Sequence, residues 1–230
     1  MSNILKVVAL FALVYISWNF LNAKSFDEGV VAYQSGDFES AFEIFLSEAE
    51  KDHQEAQYSV AHMYNNALGV GQDYAQALKW YGLAAESGHP IAQSDLGTMY
   101  KNGNGVDVDF SAAMTWFLRS SEQNYFTAQF KIGQLFYQGA GVDQDYEQAL
   151  NWYLLAAAQG MTMAQRSLGV MYKLGQGTPV NNVYSYMWLY IAKTRGDGNA
   201  SSILLEYNAE MSADTVEQAI NLANQWLANN

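Results

Sequence analysis

Three histidines, closely spaced carboxylates and Gly-x-Gly segments are the residues here from which chemistry could be built. Metal binding is the first test. His53, His62 and His89 are scattered, and with no Cys in the chain they offer no metal-ligand spacing. The absence of Cys also removes disulfides, thiolate ligands and a Cys nucleophile. Calcium is the second. Asp107-Val-Asp109 and Asp143-Gln-Asp145 lack the Asp-x-Asp-x-Asp-Gly loop and the later Glu that a calcium loop needs. Nucleotide binding is the third, and Gly103-Asn-Gly105 and Gly139-Ala-Gly141 follow helical patterns, not strands, and lack the Lys-Ser/Thr of a phosphate loop. No Ser-His-Asp set stands apart from the periodic pattern. The expectation is a chain with no catalytic, metal or cofactor-binding residues, and not an enzyme.

Charge narrows the partner class. The 230 residues carry 23 acidic and 11 basic side chains, a formal −12, which is a poor footprint for nucleic acid or an anionic membrane. A hydrophobic share of 50% and an aromatic share of 14% are enough to build a core, and only two Pro interrupt helical patterning. At the N-terminus, Lys6 precedes the apolar run Val7–Ile16, which is short for a membrane helix and fits a secretory leader. Residues 1–23 are therefore expected to be a signal peptide cleaved after Ala23, or an N-terminal anchor if uncleaved. Export is the expectation, to a periplasm, with inner-membrane anchoring as the alternative and a monomer as the expected state.

The elements that position everything else are repeats. Trp80, Trp116, Trp152 and Trp188 stand 36 residues apart, a fixed period that marks a repeat architecture. Copies span His53–Gly88, His89–Asn124, Tyr125–Gly160 and Met161–Gly196. Each first helix carries the columns Ala56/Ala92/Ala128/Ala164, Val60/Leu96/Ile132/Leu168 and Ala61/Gly97/Gly133/Gly169, the last small so that a neighbouring helix can approach. Gly69, Gly105, Gly141 and Gly177 mark the turn. Asp73, Asp109, Asp145 and Asn181 are N-caps of the second helices, with Gln76 and Gln148 placed for a capping box. The Trp column, on one face with Ala77, Tyr81 and Ala84, reads as core. His53 and His89 share a column with Tyr125 and Met161 and read as inter-repeat packing. Gln57, Gln93, Gln129 and Gln165 predict a repeated structural hydrogen bond.

Upstream, Phe26–Leu46 reads as two helices around Ser35-Gly36-Asp37, and Gly-Asp-Phe followed by Ala41 is similar to the tetratricopeptide pattern. Downstream, Ala200 and Leu204 continue two columns before the pattern breaks, and Ser212 caps a last helix in which Trp226 is a packing residue.

The pattern Ala-Gln-x-x-[Val/Ile/Leu]-[Ala/Gly]-x-x-[Tyr/Phe], then Gly-Val, then [Asp/Asn]-[Tyr/Phe]-x-x-Ala-x-x-Trp-[Tyr/Phe]-x-x-Ala resembles the Sel-one-like repeat (SLR), a longer relative of the tetratricopeptide repeat. The resemblance implies an all-α, right-handed α-solenoid of helix-turn-helix repeats. The implied organisation is a tetratricopeptide-like first repeat at 24–52, four repeats at 53–88, 89–124, 125–160 and 161–196, and capping helices at 197–230. The implied function is a non-catalytic scaffold or adaptor that binds a protein or peptide in its concave face. Similar proteins serve in cell-envelope polysaccharide export or assembly, which is the alternative. A β-lactam-related hydrolase is the third reading, and the relatives linked to that activity carry paired Cys that this chain lacks.

Within such repeats, constant columns serve the stack and variable ones are free to serve a partner. On the tetratricopeptide register the groove side of the first helices carries Tyr58, His62, Lys101, Phe130, Gln134, Tyr137, Arg166 and Lys173. Aromatic and Arg side chains are favoured at binding hot spots. The expected partner is an extended segment with apolar anchors, Phe130 and Tyr137 being exposed to meet them, and an acidic group read by Arg166.

Overall fold

The structure is a computed structural model that describes residues 25–229, and the expected leader at 1–23 lies outside them. Within the described residues every regular element is a helix, twelve in all. The chain divides into two units after Ala84. The first holds α1 (Phe26–Ser35), α2 (Phe38–Ala49), α3 (Gln54–Asn66) and most of α4 (Tyr74–Glu86). The second holds α5 (Pro90–Asn102), α6 (Phe110–Glu122), α7 (Phe126–Gln138), α8 (Tyr146–Ala158), α9 (Thr162–Leu174), α10 (Asn182–Thr194), α11 (Gly198–Glu210) and α12 (Ala213–Asn229). Within each unit successive helices pack on one another, and α12 turns back onto α10.

The helix boundaries follow from their caps. Asp73, Asp109, Asp145 and Asn181 each accept the backbone N–H three residues on, at 2.9–3.0 Å, which satisfies an amide that the helix cannot. The second helices end in left-handed backbone at Gly88, Asn124, Gly160 and Gly196. The first helices end two residues earlier than Gly69, Gly105, Gly141 and Gly177: Ala67, Gly103, Gly139 and Gly175 already have positive φ. The later column also has positive φ, and at Gly177 a Cβ would meet the Tyr146 carbonyl oxygen at 2.3 Å. That turn is closed to any side chain.

The Ala-or-Gly column explains the core. A Cβ on Gly97 would lie 2.7 Å from the Phe117 ring, on Gly133 2.7 Å from the Tyr153 ring, and on Gly169 2.6 Å from Leu189 Cγ. Each glycine is a socket for a large side chain of the following helix. A mid-helix Gly costs about 1 kcal/mol against Ala, and burying a side chain of this size offsets that by about 1.5–3 kcal/mol.

Two expectations about the core need correction. The deepest aromatic column is not Trp but the residue after it: Tyr81, Phe117 and Tyr153 are buried, whereas Trp116 and Trp152 are half-buried and only Trp80 and Trp188 fully so. The socket takes the second residue of the pair and leaves Trp beside it, where Arg119 covers Trp116 at 4.6 Å. His53 and His89 are N-caps as well as packing residues, since each Nδ1 accepts the N–H of Ala56 or Ala92. Tyr125 and Met161, lacking a short-range acceptor, do not cap.

The Gln column does form repeated bonds. Nε2 of Gln57, Gln93 and Gln165 donates to the carbonyl eight residues back, and Gln123 and Gln159 in turn donate to Oε1 of Gln93 and Gln129. In the last copy Arg195 stands in place of that second Gln. It lies over Trp226 at 5.3 Å, and Gln165 Oε1 is left without a partner. Trp226 also meets Trp188 edge-on at 5.3 Å, as a capping residue should.

Candidate recognition sites

In each unit a cavity opens on the first-helix side, and the cavity of one unit is built from positions equivalent to those of the other. In the second unit a cavity of about 250 Å³ lies between α7 and α9. Gln134, Tyr137 and Gln138 line it from α7, Tyr153 floors it from α8, and Arg166, Ser167, Val170 and Met171 line it from α9. In the first unit a cavity of about 430 Å³ lies between α1 and α3. Val30, Tyr33 and Gln34 line it from α1, Phe45 floors it from α2, and Tyr58, Ser59 and His62 line it from α3.

The correspondence follows from the socket glycines. Gly29 receives Phe45, to whose ring a Cβ there would stand at 2.7 Å, as Gly133 receives Tyr153. Counting from these glycines pairs Val30 with Gln134, Tyr33 with Tyr137 and Gln34 with Gln138. On the next first helix, Tyr58 pairs with Arg166, Ser59 with Ser167 and His62 with Val170. The first repeat is shorter, with 32 residues from Gly29 to Ala61 against 36 from Ala61 to Gly97. The deficit falls in the turn, where Gly36 and Asp37 alone separate α1 from α2. The cavity register is therefore kept.

The structure brings Gln134, Tyr137 and Arg166 together in one cavity and Tyr58 and His62 in the other. Lys101 and Lys173 line neither of these two. Lys173 lies with Nζ 4.1 Å from the Tyr207 ring centroid. Phe130, expected on the open surface, is buried at 7% exposure with its ring 5.3 Å from that of Tyr153. Its place one turn before Gly133 explains this, because the ring received by that glycine covers Phe130 as well. Arg166 is not a free reader of acidic groups either. Its Nη1 donates to both oxygens of Asp197, at 2.9 and 2.7 Å, and Asp197 also caps α11 through Ala200 N–H. The guanidinium is fixed in place, with its charge balanced. Tyr137 is only half-buried, donates to Gln176 Oε1 at 3.2 Å and stands edge-on to Tyr146 at 5.3 Å. Burial, and then Tyr137, push the Tyr153 hydroxyl above the usual phenol range, so it stays neutral.

One column was missed. Ser59, Asp95, Lys131 and Ser167 stand 36 residues apart, and their variation is itself the mark of a position not held by the stack. Lys131 shows what the column does. From α7 its amine reaches α5, donating to Ser94 Oγ at 2.9 Å and Thr98 Oγ1 at 2.7 Å, with Asp95 at 3.8 Å. It also lies over Phe117, the ring received by Gly97, at 5.5 Å. Desolvation lowers its pKa below the usual lysine value, Asp95 opposing and Lys101 adding to the shift. Between α5 and α7 the chain thus places its own ammonium over the floor of the equivalent seat. Among the described residues no group of His, Cys, Asp and Glu is arranged to hold a metal ion.

The Sel1 repeat model matches residues 54–89, 90–125, 127–161 and 162–197. Among solved structures the chain is similar to a Sel1 repeat protein from Oxalobacter formigenes, with 29% identity and a TM-score of 0.76 over 86% of this chain and 84% of that one. It is similar to c5321, a protective antigen of uropathogenic Escherichia coli strains displaying an SLR fold, with 32% identity and a TM-score of 0.74. That match covers 90% of this chain and 49% of the other, so this chain spans about half its length. Immunity protein Pa5087 from Pseudomonas aeruginosa, 18% identical with a TM-score of 0.53 over 87% of this chain and 80% of that one, shares the fold. No curated protein matches the chain.

Proposed function

Because this chain belongs to the Sel1 repeat family, whose members generally serve as non-catalytic scaffolds for protein–protein interaction, we propose that it is an adaptor seating a protein segment between α7 and α9. The observation that carries this reading is the convergence of Gln134, Tyr137 and Arg166, from two successive first helices, on one cavity. Val170, Met171 and the two tyrosine rings supply apolar area, while Gln134, Gln138 and Ser167 supply donors and acceptors for a backbone passing over them. Since Asp197 balances Arg166, the seat favours an apolar or aromatic anchor with its flanking peptide groups over a bare carboxylate. The Lys6 and Val7–Ile16 pattern supports export of the mature chain from Lys24, with a periplasmic partner. No helix among the described residues is long and apolar enough to cross a membrane.

The experiment is site-specific photo-crosslinking in the native envelope. A photoreactive residue at Gln138 should capture a discrete partner, and Tyr137→Ala or Val170→Glu should weaken capture about tenfold or more, since truncating an anchor contact costs about 1–3 kcal/mol. Capture that survives both changes but is lost with Lys79→Glu or Arg119→Glu would move the site to the outer helices. Mass spectrometry of the same preparation should find Lys24 at the N-terminus, and a cytosolic protein beginning at Met1 would end the export reading.

A further inference from the structure

The cavity of the first unit has the same construction and a different rim. Val30 replaces Gln134, Tyr58 replaces Arg166, and His62 stands for Val170. Its walls are then mostly aromatic: Tyr33 and Tyr58 each stand about a ring's width from His62, with centroids 6.5 and 6.2 Å away, and Tyr33 lies 6.4 Å from Phe45. No carboxylate and no ammonium lines it. Around it, however, residues 25–84 carry ten carboxylates against two lysines, a formal −8, and both lysines are engaged. Lys51 pairs with Glu48 at 2.7 Å and Lys79 lies over Trp80 at 4.9 Å. Asp27 and Glu55 stand one helical turn before Val30 and Tyr58, on the same faces as the lining residues. The volume, about 430 Å³, is within the range of ligand and anchor pockets.

The molecule supplies its own precedent for what such a seat accepts. In the equivalent place between α5 and α7, Lys131 extends from the Ser59 column and lays its ammonium over the floor ring. In the first unit that column holds only Ser59, and the floor ring is Phe45. We propose that this cavity is a second recognition site, opposite in charge preference to any acidic ligand, that takes a lysine or arginine side chain from a basic segment of a partner protein. The aliphatic stem would lie along Val30 and Tyr33, and the cationic head would meet the faces of Phe45 and Tyr58 in a field of negative charge. The proposal rests on the family's protein-binding role and not on the seat between α7 and α9.

The Ser59 column also provides a matched pair of variants that the fold tolerates, because Asp95 and Lys131 occupy it in other copies. The full chain is titrated by fluorescence anisotropy with two labelled pentapeptides, one with two arginines flanking a leucine and one with two glutamates in their place. The arginine peptide should bind and the glutamate peptide should not. Ser59→Asp should tighten the arginine peptide about threefold. Ser59→Lys should weaken it about tenfold or more, by supplying the cation internally, and Tyr58→Leu should weaken it without loss of folding, cation–π contacts being worth that order of affinity. Gln138 and Val170 variants should leave it unchanged, which separates this site from the other. Equal binding of both peptides, no binding of either, or indifference to the Ser59 pair would overturn the proposal. So would a concentration-dependent dimer dissolved by Ser59→Lys, which would make a second copy the occupant.

Discussion

The cavity between α1 and α3 and the cavity between α7 and α9 are the same device with three exchanged rim residues and a Phe for a Tyr in the floor. Both are floored by an aromatic ring packed on a glycine, Phe45 on Gly29 and Tyr153 on Gly133. Both keep a Tyr, a Gln and a Ser at equivalent positions. They differ where Val30, Tyr58 and His62 stand against Gln134, Arg166 and Val170, and in setting: residues 25–84 carry a formal −8, residues 85–229 a formal −6 over more than twice the length. The difference teaches that the repeat fixes the shape of a seat while a few variable positions fix its chemistry. The first repeat, which has no marker Trp and a shorter turn, keeps the geometry of the seat.

The largest effect should come from removing a floor. Phe45→Ala and Tyr153→Ala each delete a ring at 3% exposure, and each should cost about 3–5 kcal/mol in chemical denaturation. Because repeat stability is a sum of local and nearest-neighbour terms, each loss should appear as an early transition in its own unit. A Phe45→Ala protein that melts like the parent, beside a Tyr153→Ala protein that does not, would break the equivalence of the two floors.

Much of this was legible in the sequence, for a physical reason: caps, left-handed glycines and small-residue sockets act over a few residues and leave fixed spacings. Asp73, Asn124 and the Gly133 socket stand as read. Phe130 was misplaced because its burial depends on the ring of another helix, which spacing along one helix does not record. Arg166 was misread because its partner, Asp197, lies 31 residues away at the start of α11. The contributions of Val30, Tyr33 and Gln34 were hidden by the shorter turn, which shifts their register against the Trp period. Lys131 could have been found, since its column varies between copies as a recognition position should.

A second test uses the one first-helix terminus that departs from its equivalents. Gly103, Gly139 and Gly175 end their helices with φ between 68° and 75°, but Ala67 holds φ 56° in the same role. A left-handed Ala is strained by about 1–2 kcal/mol, part of which Gly gives back through its freer unfolded chain. Ala67→Gly should therefore raise stability by about 0.5–1 kcal/mol, seen in the transition of the first unit. An equal or lower stability would mean that the first unit's turn is held differently from those of the second.

The smallest effect is the most specific, because it asks whether Lys131 does occupy a seat. Its ammonium is partly desolvated and its folded-state pKa lies below 10.5, burial outweighing the attraction of Asp95. The unfolded chain therefore binds more protons than the folded one between that lowered value and 10.5, and stability gains from Lys131 as pH rises through this window. Below it the ammonium is charged in both states and the full desolvation penalty is present. In Lys131→Met the linkage is absent, and comparing the two proteins at each pH cancels the tyrosines and other groups they share. The melting temperature of the parent, relative to Lys131→Met, should climb as pH is raised toward 10.5 and be lowest at neutral pH. A flat difference would mean an amine that is solvated in the folded state, not seated over Phe117. The comparison would then lose its internal precedent for a cation in the equivalent seat, while the two cavities themselves would stand.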